Sequence, residues 1–241
     1  MPGSAGGKKM NTRTRTATAS TAVTGLVDAA GDLLYGTADN TLGKLAIGTA
    51  YQTLRVNSGA TAPEWVSGGM HLIAETVLGS DTASFDLTSI PATYRHLRLL
   101  VALRTDRAAQ TNDPVVLSLN NDTTDANYDR QQVFIGSTTV TGEQALAASG
   151  SRYICEATAV NSTAGNFNTG EIIIPHYAST SINKVATSNI IAWRVRSSGS
   201  VRLQFNMVGW ASTSAVSRIT LTPAIGTNFK TGSAVSLYGI G

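Results

Sequence analysis

Three histidines, one cysteine and a scatter of carboxylates are the side chains here with reactive or metal-ligating chemistry. His71, His96 and His176 each stand alone in a strand-like run. No HxH, HExxH or CxxC spacing occurs, so a transition-metal centre has no support. Cys155 has no partner for an intrachain disulfide, and in the run RYICEATAV it reads as a small buried hydrophobe. There is no GxSxG elbow, no P-loop and no GxGxxG. Asp86, Asp106, Glu156 and Glu171 could supply a carboxylate pair for glycan cleavage, but nothing in their spacing marks any two of them. The expectation is a protein that is not an enzyme, with no catalytic residue, metal or cofactor.

Two polar or aromatic groupings could bind rather than react. NNDTTDANYD, residues 120–129, places Asn120, Asp122, Asp125, Asn127 and Asp129 in one loop. Hard oxygens in a flexible loop suit Ca²⁺. The spacing does not fit an EF-hand, and no bidentate Glu closes it. An Asx-rich turn whose side chains cap backbone amides is the favoured reading. Trp193, Trp210, Phe134, Tyr128 and Tyr177 could stack on sugar rings, yet aromatics in sandwiches mostly fill the core. Core placement is therefore expected, and no receptor-contacting residue is nominated.

The elements that would position these residues are strands. From Met70 onward eleven candidates follow one another: 71–78, 83–90, 94–105, 115–120, 130–136, 151–160, 171–177, 184–195, 201–210, 217–223 and 233–240. In YRHLRLLVALRT, Leu97, Leu99, Val101 and Leu103 share one face. Pro175 suggests an edge strand or a bulge for 171–177. GEQALAAS, 142–149, is the best helix candidate and spans at most two turns. Short strands separated by turn signals predict an all-β, antiparallel β-sandwich, jelly-roll-like, over 70–241.

Composition agrees. The chain has 241 residues, of which 14% are charged, against roughly 25% in an average soluble protein. Thr, Ser, Ala, Gly and Asn fill the difference, residues that suit strands and turns. The net charge is +3, and Lys8, Lys9, Arg13 and Arg15 all precede the first acid, Asp28. These cations suit an extended arm over 1–30 that docks on another protein, and equally a solvated terminus. TRTRTATASTAVTGLV alternates Thr at period two, as a strand added to a neighbour's sheet edge would. Four charges without interleaved aromatics make a poor nucleic-acid footprint, so nucleic acid is not an expected partner. The first 30 residues lack an apolar h-region, and no apolar run reaches about 18 residues. Neither a secretion signal nor membrane insertion is expected.

Residues 31–66 read GDLLYGTADNTLGKLAIGTAYQTLRVNSGATAPEWV. Leu33, Leu34 and Tyr35 stop at Gly36. Leu42 and Leu45 straddle Gly43, and Ile47 stops at Gly48. Leu54 and Val56 stop at Asn57, and Trp65 closes the stretch. Runs this short cannot build a core alone and need copies of themselves or a partner. The segment resembles the "GDLLY … LAIGTAGQ-LTVN … APSW" stretch of tailed-bacteriophage tail-fibre and other virion fibre proteins, over about 35 residues in matching order. It departs at Lys44, where a small residue is more usual, and at Tyr51, where Gly is common. Pieces of 83–241, among them SIPATYRHLRLLVALRT and NFKTGSAVSLYGI, also resemble a module of phage tail fibres, minor tail proteins and head-decoration or head-fibre proteins.

The resemblance implies a slender trimeric neck over 31–69, between the arm and the sandwich of 70–241. It implies a virion structural protein assembled in the host bacterial cytoplasm. Its expected partners are itself, as a homotrimer, another virion protein through the arm, and a host cell-surface glycan. A tail-fibre or tail-tip component contributing to host attachment is the leading function. A capsid decoration protein or head fibre is the alternative.

Overall fold

A computed structural model describes residues 25–39, 41–50, 52–136, 138–193 and 201–241. The arm residues Lys8, Lys9, Arg13 and Arg15 lie outside the described residues. The chain divides into two compact units, Met1–Ser67 and Gly68–Gly241. All regular structure described is β, apart from one 3-10 turn at Asp125–Asn127. Among the described residues no helix is long and apolar enough to cross a membrane.

The first unit holds two hairpins. Strand β1 (Leu33–Ala38) pairs antiparallel with β2 (Thr41–Leu45), and β3 (Gln52–Val56) with β4 (Pro63–Ser67). The short apolar runs are thus full if small strands, which continue through Gly36 and Gly43 because the ladder bonds compensate for glycine's weak strand preference. Trp65 Nε1 donates to Ala46 O at 2.8 Å and packs against Gly48, where an added Cβ would lie 2.8 Å from the indole. Lys44 pairs with Asp28 and Asp32. Leu34, Tyr35, Leu45 and Trp65 are half-buried. Leu33, Leu42, Ile47, Leu54 and Val56 remain exposed, since a two-stranded ribbon has no second layer to cover them.

The second unit is a sandwich of two unequal antiparallel sheets. The four-stranded sheet runs β11 (Tyr153–Thr158), β8 (Asn112–Leu119), β15 (Ile219–Pro223) and β6 (Phe85–Leu87). The eight-stranded sheet runs β10 (Thr139–Leu146), β9 (Tyr128–Gly136), β14 (Val201–Trp210), β13 (Lys184–Trp193), β12 (Asn168–Pro175), β7 (His96–Leu103), β16 (Ala234–Ile240) and β5 (Met70–Val77). Strict alternation drives the packing. Leu97, Leu99, Val101 and Leu103 of β7 are all buried, opposite Leu117, Leu119, Ile219 and Leu221 of the smaller sheet.

Two local expectations are corrected. The helix candidate at 142–149 is largely strand β10, which pairs residue by residue with β9 from Thr139↔Gly136 to Leu146↔Asp129. The β-branched Thr139, Val140 and Thr141 lead into it and Gly142 interrupts any helix, so the cross-strand ladder overrides a weak helical preference. Strand β12 is interior, between β13 and β7, rather than an edge. Pro175 is tolerated because it is the last residue, beyond the end of the β13 ladder at Ile173↔Thr187.

Candidate functional site

The inner face of the large sheet changes character across its width. On β7, β12 and β16 it is apolar save for Asn168, the first residue of β12. On β13, β14 and β9 it carries Ser188, Asn206, Gln204, Gln132 and Arg130, all buried. Alternation places Val133 and Ile135 of β9, and Phe205 and Met207 of β14, on the outer face instead, where they are exposed. Phe205 opposes Val133 there, with Leu203 opposing Ile135. Around 130–133 of β9 and 204–207 of β14 the pattern is inverted, with Arg130, Gln132, Gln204 and Asn206 inward and Val133, Phe205 and Met207 outward.

The buried polar residues form a continuous chain across β13, β14 and β9 that ends on β11 at one side and on β10 at the other. Ser188 Oγ donates to Ile154 O of β11. Asn206 Nδ2 donates to Ser188 Oγ at 3.0 Å. Gln204 Nε2 donates to Asn206 Oδ1 at 3.0 Å and to Gln132 Oε1 at 3.2 Å. Arg130 donates to Gln132 Oε1 at 2.5 Å, and Gln132 Nε2 donates to Glu143 Oε2 of β10 at 3.2 Å. Each amide thus has its orientation set by neighbours on adjacent strands.

Beside this chain opens a cleft of about 190 Å³. Arg130, Gln132, Gln204 and Arg202 line it from the large sheet, with Glu143 on β10. Pro114, Tyr153, Cys155 and Glu156 close it from the small sheet. The ladder between β11 and β8 shifts register between Tyr153 and Cys155, a bulge that re-aims the residues after it. Glu156 accepts from Arg202 at 2.8 Å, and the Arg202 guanidinium carbon lies 3.5 Å from the centroid of Phe134. The Arg130 guanidinium stands 3.6 Å from Glu143 and 5.5 Å from the Tyr153 ring centroid. Both cations are therefore oriented by a carboxylate and an aromatic face. Arg130 Nε and Gln204 Oε1 are buried without a hydrogen-bond partner.

The residues singled out in the sequence fall elsewhere or into other roles. Asp86 is held by Arg218 at 2.7 and 2.5 Å, and that guanidinium keeps its carboxyl below the usual carboxylate range. Asp106 caps the amides of Thr227 and Asn228. Glu171 pairs with Arg98 at 2.5 Å. With Glu156 in the cleft, the four carboxylates stand on different elements and engage different partners. Cys155 is buried, and burial followed by the Glu156 charge pushes its thiol pKa upward.

The 120–129 loop behaves as an Asx-rich turn. Asp122 accepts from Thr124 N, Asn127 Nδ2 and Trp210 Nε1, at 3.0, 2.8 and 2.8 Å. Asn120 Oδ1 accepts from Ser217 N and Arg218 N. Asp125 pairs with Arg152 at 2.6 Å, and Asp129 caps Ala147 N. Among the described residues, no group of three His, Cys, Asp or Glu side chains is arranged to hold a metal ion.

Tyr128, Tyr177 and Trp210 are core residues. Phe134 is half-buried under Arg202. Trp193 ends β13, and its side chain lies outside what is described. His96 and His176, each alone in sequence, meet edge to face at 4.9 Å, and His96 Nδ1 accepts from His176 N at 3.2 Å. The cleft was not legible beforehand. Its one sequence signal is the polar parity of RQQ and of Gln204–Asn206 inside otherwise apolar strands.

Compared with known proteins, the chain matches no family model, no curated protein and no solved structure.

Proposed function

We propose that this protein is a non-enzymatic bacteriophage virion component, a tail-fibre or tail-tip protein whose sandwich contributes to host-surface attachment. The observation that carries the reading is the segment GDLLYGTADNTLGKLAIGTA…APEW, with its likeness to virion fibre necks. It forms two small hairpins that leave Leu33, Leu42, Ile47, Leu54 and Val56 exposed. Apolar side chains on isolated two-stranded ribbons call for further copies to cover them, which supports a homotrimer. The outward Val133, Ile135, Phe205 and Met207 of the sandwich support self-association in the same way. A polar cleft in a rigid β-scaffold supports binding of a surface ligand.

Immunogold labelling of intact particles with antibody to the full chain tests the reading. Label at the tail tip supports attachment. Label on the capsid favours the alternative, a decoration protein or head fibre, and absence of label from the particle overturns both. Light scattering of the full chain is expected to give the mass of a trimer. A monomer mass refutes the self-associating neck.

A further inference from the structure

We propose that the free edge of β10 takes one extended strand from a neighbouring copy, the period-two segment of residues 12–24. That segment lies outside the described residues and is argued from its sequence. The proposal rests on the self-association of the preceding section and names the edge and the segment that meet.

Among the described residues the sandwich presents four sheet edges, and three are blunted. Strand β6 is only three residues long. Strand β5 carries the charge of Glu75 and a bulge, where its ladder with β16 shifts register at Leu237/Tyr238. On β11, Ile154 O accepts from Ser188 Oγ, Glu156 O from Asn168 Nδ2 at 3.0 Å, and Thr158 O from Thr105 N at 2.7 Å. Shortness, a bulge with a charge, and a cover each keep a further strand away.

Strand β10 has full length, no bulge and no cover. Its eight residues pair with β9 one by one, from Thr139 to Leu146, without a register shift. It contains no Pro, Lys or Arg, and only Thr141 and Ala145 are even half-buried. Every second residue of an edge strand turns its N–H and C=O away from the ladder. Among the described residues no hydrogen bond reaches that side of β10. A regular, open row of this kind is a template for one more strand.

The side chains of β10 select the occupant. Glu143, its one ionisable residue, points to the inner face, 47% exposed and 3.6 Å from Arg130. An acidic strand is disfavoured beside it and a cation is accommodated. On the outer face Val140 and Leu146 are 64% and 59% exposed, and β-branched neighbours suit them. Residues 12–24, TRTRTATASTAVT, contain no acid and outlast the eight residues of β10. One parity carries Arg13 and Arg15, the other Thr12, Thr14, Thr16 and Thr18. Arginine on the side of Glu143 sets threonine on the side of Val140, so a single phase satisfies both faces. Main-chain bonds supply the affinity and the two parities supply the specificity.

The test uses the full chain. Copies with Val140→Cys are co-expressed with copies that carry one cysteine substitution at a position from Thr12 to Ala19. The proteins are oxidised and the joined peptides are identified by mass spectrometry. Position 140 is exposed, so the core is untouched, and Cys155, 1% exposed, stays out of the reaction. Joining at one or two even positions, with their odd neighbours silent, is the expected result. No joining, or equal joining at odd and even positions, overturns the proposal. Val140→Cys joined to its own kind shows β10 paired with β10 and overturns it as well. Joining only when both substitutions share one chain overturns the neighbouring copy as donor. A trimer mass without joining sinks this edge and spares the neck and the attachment reading. Joining in a protein that labels no particle sinks the attachment reading and spares the edge.

Discussion

Glu156 and Arg202 form an ion pair across the two sheets of the sandwich, with side chains only 7% and 12% exposed. It joins edge strand β11 to β14, beside the cleft. Removing one member leaves the other charged and poorly solvated. Glu156→Ala should cost about 3–5 kcal/mol in urea unfolding. The double variant Glu156→Leu/Arg202→Met should recover part of that loss, because these two charges leave together.

Lys184 is fully buried, at 0% exposure, where β13 begins. Its ammonium donates to the carbonyls of Ser179 and Ile182 at 2.7 Å each and of Thr213 at 3.1 Å. Three donors thus tie two loops to the end of the sheet, although burial lowers its pKa. Lys184→Met keeps the stem and strands the three carbonyls. A loss of about 1–3 kcal/mol is expected in chemical denaturation. Unchanged stability would mean that water replaces the ammonium without cost.

His96 has a pKa below 6.5, lowered by burial first and then by His176 and Arg95. The folded chain therefore holds this proton less tightly than the unfolded chain. Stability from the neutral ring is complete above about 6.5 and declines as pH falls from there to the lowered folded value. A melting temperature that drops between pH 7 and pH 5.5, with a shallower drop in His96→Gln, is the expected result. Asp86, whose pKa Arg218 lowers from 3.8, acts with opposite chemistry in a separate, more acidic window. Its stabilisation is lost only as pH falls below about 3.8.

Cys155 is inert in this setting. Its thiol is 1% exposed and its pKa is raised by burial, so little thiolate forms. A disulfide reagent such as dithionitrobenzoate should titrate one thiol in denaturant and none in the native chain over the same interval.

How much of this was readable depends on which residues carry the signal. The strands of the sandwich announce themselves because their apolar residues alternate between turn residues, as in Leu97, Leu99, Val101 and Leu103. Strand β10 was hidden because GEQALAAS has helical residues and its pairing with β9 is a property of the sheet. Lys184 reads as a solvent-facing start of a strand, since only the folded chain brings the carbonyls of Ser179, Ile182 and Thr213 around it. The cleft residues were missed for a related reason. Arg130, Gln132, Gln204 and Asn206 look like an outer face, and which face is inner is decided by elements distant in sequence.

What decides it is the pair of aromatics at one end of that ladder. Tyr128 opposes Trp210, both rings are buried, and they stack at 6.3 Å. Tyr128 Oη donates to Asp122 O and accepts from Leu119 N, each at 3.1 Å, while Trp210 Nε1 donates to Asp122. Because side chains alternate strictly, seating these two rings inward sets the phase of everything after Tyr128 and before Trp210. The rival phase would tuck Val133, Ile135, Phe205 and Met207 inside and turn Tyr128, Val208 and Trp210 outward. The same hairpins admit two opposite readings, and two terminal rings act as the casting vote that leaves a polar patch inside and an apolar one outside.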